Sequence, residues 1–243
     1  MSSARLAITA LICLLAFAAL ALVVAHGSSP YRFEDPVIGW LGHPSAVRRW
    51  ANLAELLGTP ALVVVLVICS AFGLARQAFL RIALYAGLAF GAILISEHIA
   101  KPLVQRTYVS ELTFPSGSVT AASATAVAMW LALYPLLEKR ARLVSLILGL
   151  AWILLMSLAV VGGLWHTPLD AIGSVLLSVG IVSAGGAIIE LPTIRSASFL
   201  RPDEQSQIGT MQRRAGPDVE DLLGEAENPV RVAQAQRINQ EKG

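Results

Sequence analysis

The stretch that decides the fold is residues 143–161, which read LVSLILGLAWILLMSLAVV without a single charged residue. A helix rises about 1.5 Å per residue, so about 20 apolar residues cross a hydrocarbon core about 30 Å thick. Five other apolar runs cover residues 6–25, 60–75, 82–100, 119–137 and 169–189. The run at residues 60–75 is short, and we extend it back through residues 53–57. The sequence therefore predicts an all-α, polytopic membrane protein with six transmembrane helices.

The composition of the whole chain agrees with this prediction. Of 243 residues, 56% are hydrophobic and 14% charged, whereas soluble domains have roughly 45–50% apolar and 25% charged residues. A soluble enzyme is excluded on this ground. The net charge of +2 comes without a basic patch, so we expect no nucleic-acid partner. Cys13 and Cys69 both lie in apolar runs, where they are small hydrophobic residues rather than a disulfide or metal site.

The positions of the basic residues predict the orientation in the membrane. Cytoplasmic connections are enriched in Lys and Arg, and one side of the predicted bundle collects most of them. These residues are Arg5, Arg76, Arg81, Lys139, Arg140 and Arg142. We expect that side to face the cytoplasm and the protein to lie in the cell (inner) membrane, with its first run kept as a span rather than cleaved as a signal. Residues 26–59, 101–118 and 162–168 then lie on the non-cytoplasmic side.

The last part of the chain has a different composition. Residues 191–243 are polar, contain several Pro and Gly residues and lack a sustained apolar period. We predict a membrane domain over residues 1–190 and a flexible cytoplasmic tail over residues 191–243, and this tail is a candidate contact for a cytoplasmic partner. Aromatic residues among charges in residues 30–50 predict an interfacial segment on the outer face.

Two connections carry the ionisable groups that need an explanation. The first reads SEHIAKPLVQRT over residues 96–107 and is followed by FPSGS at residues 114–118; the second reads GGLWHTPLD over residues 162–170. Ionisable groups at the ends of apolar helices are costly and are functional candidates by default. Because two spans separate these connections, they lie on the same side and can form one site.

These motifs resemble the type 2 phosphatidic acid phosphatase superfamily of membrane lipid phosphatases. That family has a six-helix core with the motifs Lys-x6-Arg-Pro, Pro-Ser-Gly-His and Ser-Arg-x5-His-x3-Asp. The matching residues here are Lys101, Pro115, Ser116, Gly117, His166 and Asp170. The chain departs from the family at three places, since Tyr108, Ser118 and Val160 replace its Arg, His and Arg. The resemblance covers residues 82–189 by motif order.

The resemblance implies a phosphate site built from the first connection. Ser116, Gly117 and Ser118 begin a helix whose free N–H groups and dipole attract an anion. Lys101 and Arg106 supply cationic donors. The expected ligand is a lipid phosphate or diphosphate in the bilayer, and neither a metal nor a cofactor is required.

The resemblance further implies that His166 attacks phosphorus as a neutral imidazole and forms a phosphohistidine that water hydrolyses. Asp170 accepts the other ring N–H and fixes the tautomer. Because Ser118 replaces the family's proton donor, and a phosphate monoester leaves without protonation, we expect an isoprenoid diphosphate to react better than a lipid monophosphate. His98 is a candidate substitute acid.

Some of these candidate site residues can also be interpreted as purely structural. Thr167, Pro168 and Asp170 also form a helix start, and Glu97 with Lys101 is a helical ion pair. The alternative function is a catalytically inactive member of the same superfamily that binds lipid phosphates or serves as a membrane scaffold.

The spacing of small residues predicts two places of close helix packing. The pairs are Gly87 with Gly91, and Gly180 with Ala184.

Overall fold

The computed structural model describes residues 2–108 and 111–191, which are almost entirely helical. A turn of π-helix covers Ser96–Ala100, and a turn of 3-10 helix covers Tyr134–Leu136. Two short strands, Thr107–Tyr108 and Glu111–Leu112, pair antiparallel. The elements in chain order are α1 Ser3–Val24, α2 Asp35–Leu41, α3 Pro44–Leu57, α4 Thr59–Ala75, α5 Phe79–Ile95, α6 Lys101–Val104, β1 Thr107–Tyr108, β2 Glu111–Leu112, α7 Gly117–Leu133, α8 Lys139–Gly162 and α9 Pro168–Ile189.

Within residues 2–108 and 111–191, six helical segments are long and apolar enough to cross a membrane, which confirms the predicted all-α polytopic architecture. The second segment contains both α3 and α4, which meet at Gly58, so the extension of the short second run through residues 53–57 is confirmed. The six are Ser3–Val24, Pro44–Ala75, Phe79–Val104, Gly117–Leu136, Lys139–Gly162 and Pro168–Ile189. Apart from Leu191, the predicted tail lies outside the described residues.

Helix α7 is the centre of the bundle and packs against α5, α8 and α9. Most of its buried residues are small, among them Ala122, Ser123, Ala124, Ala128 and Ala132. Small side chains let helix backbones approach closely, which is the main source of packing between helices in lipid. The large apolar side chains lie instead on the outer surface, particularly along α1, α4 and α8.

The two predicted glycine contacts have different outcomes. A Cβ at Gly180 would come within 2.8 Å of Leu14 Cγ, which confirms close packing between α9 and α1. A Cβ at Gly87 or Gly91 would have no neighbour within 4 Å in the described part of the chain, so that prediction is wrong. The packed face of α5 carries Ile82 and Tyr85 instead, and spacing alone does not indicate which face of a helix meets a neighbour.

The ends of the bundle differ in chemistry. At one end Arg81 pairs with Glu190 and donates hydrogen bonds to the carbonyl oxygens of Leu131 (3.0 Å) and Ala132 (2.9 Å). The arginine therefore satisfies two of the carbonyls that the end of α7 leaves without helical partners.

At the other end, four buried apolar residues from four different parts of the chain form one cluster. They are Val24, Val104, Phe114 and Leu169. The connections that were predicted to share one side therefore meet at the same end of the bundle.

Candidate functional site

The start of α7 carries the three small residues of the predicted phosphate site. Ser116 is the N-cap, and its hydroxyl accepts a hydrogen bond from Val119 N at 3.5 Å. The residue is fully buried, and its own N–H donates to the carbonyl oxygen of Asp170 at 3.4 Å. Gly117 and Ser118 follow it and line a cavity. Ser116 therefore holds the helix start, while Gly117 and Ser118 are accessible to a ligand.

The π-helical turn before α6 sets the position of Glu97 and Lys101. Lys101 Nζ donates to Glu97 Oε2 at 2.8 Å, as the ion-pair interpretation predicted, and both side chains line the same cavity. Single π-helical turns occur frequently at functional sites. His98 belongs to the same turn but is exposed and is not among the residues that line the cavity, so its role as an acid stays a prediction.

Arg106 lies outside the cavity and is almost fully buried. Gln105 adopts a left-handed conformation (φ 55°) that ends α6 immediately before the arginine. The guanidinium donates from Nη1 to Asp170 Oδ1 and from Nη2 to Glu34 Oε2, both at 2.9 Å. This position does not support its predicted role as a phosphate ligand, because the side chain is buried outside the cavity and both terminal nitrogens donate to carboxylates of the protein.

Glu34 is the residue of this end of the bundle that the sequence interpretation missed. Only 1% of its surface is exposed. Besides Arg106, its carboxylate accepts hydrogen bonds from Leu169 N at 3.1 Å and Tyr31 N at 2.8 Å. It thus joins the segment before α2 to the first turn of α9. Glu34 is followed by Asp35 in the sequence. The local sequence does not indicate that the first carboxylate is buried and the second exposed.

Thr167 is the N-cap of α9, as the structural alternative predicted, and with Asp170 it forms a complete capping box. Thr167 Oγ1 accepts from Asp170 N at 3.4 Å, and Asp170 Oδ2 accepts from Thr167 N at 2.8 Å. Each group satisfies a donor that the helix start leaves free. Asp170 is therefore a helix cap and an ion-pair partner at once.

His166 precedes this cap and lines the cavity. Its backbone N–H donates to the carbonyl oxygen of Val160 at 3.3 Å, which holds the loop against the end of α8. His166 Nδ1 is 3.7 Å from Asp170 Oδ2, too far for a hydrogen bond, and this buried atom has no partner within the described residues. The geometry brings the predicted pair together, and a movement of under about 1 Å would form the bond.

The cavity itself has a volume of about 380 Å³, within the range of small-molecule sites. One part of its lining is polar and comes from both connections. That part is formed by Glu97, Lys101, Gly117, Ser118 and His166. The rest is mainly apolar and includes Leu57, Leu62, Ala121, Ala122 and Trp152. Such a lining suits a ligand with a polar head and an apolar chain.

Tyr108 and Val160 supply no further cation to the cavity. Val160, near the end of α8, is fully buried in an apolar cluster, and Tyr108 lies half-buried in β1. Lys101 is thus the one Lys or Arg that lines the cavity in the part of the chain that the structure describes. Over the same residues, no group of three or more His, Cys, Asp or Glu side chains is arranged to hold a metal ion.

Comparison with protein-family models, with curated proteins and with solved structures finds no match for this chain.

Proposed function

We propose that this protein is a membrane lipid phosphatase that hydrolyses an isoprenoid diphosphate or a related lipid phosphate through a phosphohistidine. The observation that carries the proposal is the cavity in which His166, Lys101, Gly117 and Ser118 meet from two distant connections beside an apolar wall. A helix start and a lysine suit the phosphate, and the apolar wall suits the first part of a lipid chain.

The proposed reaction has two displacement steps. His166 Nε2 attacks the terminal phosphorus of the diphosphate, a P–N bond forms, and the P–O bond to the lipid phosphate breaks. The lipid phosphate leaves as a stable anion, so Ser118 in place of a proton donor does not prevent this step. Water then attacks the phosphohistidine and releases inorganic phosphate. The negative charge of Asp170, whose Oδ2 lies 3.7 Å from His166 Nδ1, stabilises the imidazolium that forms.

Substitution of the nucleophile tests the proposal. We expect His166→Ala in purified protein to reduce phosphate release from an isoprenoid diphosphate to the level without protein. His43→Ala, an exposed histidine outside the cavity, is the matched control and should retain the wild-type rate. We also expect the wild type to release phosphate faster from the diphosphate than from the lipid monophosphate. Equal release from wild type and His166→Ala would remove the histidine mechanism.

A second candidate function is a lipid-phosphate binder without turnover. It is favoured by the geometry of the proposed nucleophile, because His166 Nδ1 lies 3.7 Å from Asp170 Oδ2 and makes no hydrogen bond within the described residues. Tight binding of a lipid phosphate by the wild type, without phosphate release, would establish this alternative.

We also infer that the cavity faces the non-cytoplasmic side of the cell membrane. The exposed cations Arg5, Arg76, Lys139 and Arg140 lie toward the other end of the bundle, as the positive-inside rule requires. At the cavity end, Lys101 and Arg106 are paired with carboxylates. The exposed cations of that end among the described residues are Arg32, Arg48 and Arg49, one fewer than at the other end.

A further inference from the structure

The carboxylate of Glu97 lies beside Lys101 and the start of α7. One of its oxygens, Oε2, accepts a hydrogen bond from Lys101 Nζ at 2.8 Å. The other, Oε1, is so close to the first residue of α7 that a Cβ at Gly117 would overlap it. Lys101 Nζ would be 3.7 Å from the same Cβ. The carboxylate therefore lies between the ammonium group and the first turn of α7.

This is also the position that a phosphate group would take. The start of a helix carries a partial positive charge and free N–H groups, and an ammonium group beside it strengthens the attraction. A carboxylate of the protein that occupies this position excludes a second anion, both by its volume and by its charge. Gly117 leaves the space that the carboxylate fills, since any larger residue would overlap it.

We propose that Glu97 is a specificity-determining residue, whose carboxylate takes the phosphate position when no phosphate is bound and is displaced when a phosphate binds. The inference rests on the proposed function and names the regulation of the same site. Lys101 exchanges its partner on binding, from Glu97 to the phosphate. The displaced carboxylate stays near the ligand because it is attached to the same helical turn, and it repels the bound anion.

The consequence is a dependence on ligand charge. With Glu97 ionised, the charges of Glu97 and Lys101 cancel, whereas glutamine at position 97 leaves the lysine charge uncompensated. Coulomb repulsion is proportional to the charge of the ligand, so Glu97 weakens the binding of a diphosphate more than that of a monophosphate. This effect acts on binding, whereas the replacement of the family's histidine by Ser118 acts on the chemical step.

The test is direct binding of inorganic phosphate and of pyrophosphate to the purified full-length protein, measured by calorimetry at fixed pH and salt. We expect Glu97→Gln to raise the affinity for phosphate roughly tenfold, and that for pyrophosphate by a larger factor, since the pair is partly exposed and screened. Glu111→Gln removes the same charge from an exposed position outside the cavity and should leave both affinities unchanged. Lys101→Met should weaken both.

The sign of the Glu97→Gln effect separates this inference from a purely structural role. If Glu97 only held Lys101 in place, its substitution would weaken phosphate binding, and an unchanged or lower affinity would overturn the inference. Binding is measured without turnover, so the inference survives a protein that binds but does not hydrolyse. If neither the wild type nor Glu97→Gln binds phosphate or pyrophosphate, although the variant unfolds at the wild-type temperature, the inference and the proposed function are both contradicted.

Discussion

Arg106 is the residue whose position in the structure differs most from the role predicted from the sequence. In the sequence it is a cation within a polar connection, suited to a phosphate. In the structure it is buried between Glu34 and Asp170, at 2.9 Å from each, and its guanidinium carbon lies 5.7 Å from the centre of the Tyr31 ring. A planar guanidinium with several donors suits such a double contact. Arg106 thus connects α2, the β-hairpin and α9 rather than the ligand.

This role predicts a loss of stability rather than of phosphate affinity. We expect Arg106→Met to lower the free energy of unfolding by about 3–5 kcal/mol, because it leaves two buried carboxylates without their cation. Chemical unfolding in one detergent, followed by circular dichroism, gives the measurement. Arg48→Met, at an exposed position, should change the stability by less than about 0.5 kcal/mol. A stable Arg106→Met protein with weakened phosphate binding would restore the ligand role.

At the scale of elements, the bundle is held by small residues on the inner helices. Gly180 of α9 meets Leu14 of α1, and Gly173 of the same helix meets the ring of Phe114. Without a hydrophobic driving force between helices in lipid, such close contacts provide much of the association. Gly87 of α5, by contrast, has open space around it and an exposed surface.

The same substitution at two glycines tests this difference. We expect Gly180→Ala to reduce the free energy of unfolding by about 1–3 kcal/mol, because the added methyl group overlaps Leu14. Gly87→Ala should be neutral or stabilising by up to about 1 kcal/mol, since alanine is the better helix former. Unfolding of both variants in the same detergent would show the difference. Equal stability of the two would mean that α1 and α9 are not closely packed.

At the scale of the whole molecule, the bundle places large apolar residues outside and small or polar residues inside. Leu11, Leu15, Ile147 and Leu148 are each more than half exposed, whereas Ser123, Ser178 and Thr120 are buried. This arrangement suits lipid as the surrounding medium, because exposed apolar areas of this extent are rare on soluble monomers. The cavity lies at one end of the bundle, and the Arg81–Glu190 pair lies at the other.

The proposed orientation predicts the accessibility of each end from outside the cell. In a background with Cys13→Ala and Cys69→Ala, we expect Ser28→Cys to react with a membrane-impermeant thiol reagent on intact cells. Glu138→Cys, which is exposed at the opposite end, should react only after permeabilisation. The reverse pattern would place the cavity on the cytoplasmic side and contradict the proposed localisation.

The six spans and the start of α9 at Thr167 could be predicted from the sequence, because hydropathy and helix capping depend on residues close together in the chain. The sequence also predicted that Lys101 and His166 share one end of the bundle. Only the tertiary structure decided which charges face the cavity. The φ of Gln105 directs Arg106 inward, and a buried guanidinium requires carboxylates whatever their separation along the chain. The two carboxylates are those of Glu34 and Asp170, which lie 72 and 64 residues away from Arg106 in the sequence. Local sequence spacing cannot predict pairings over such separations.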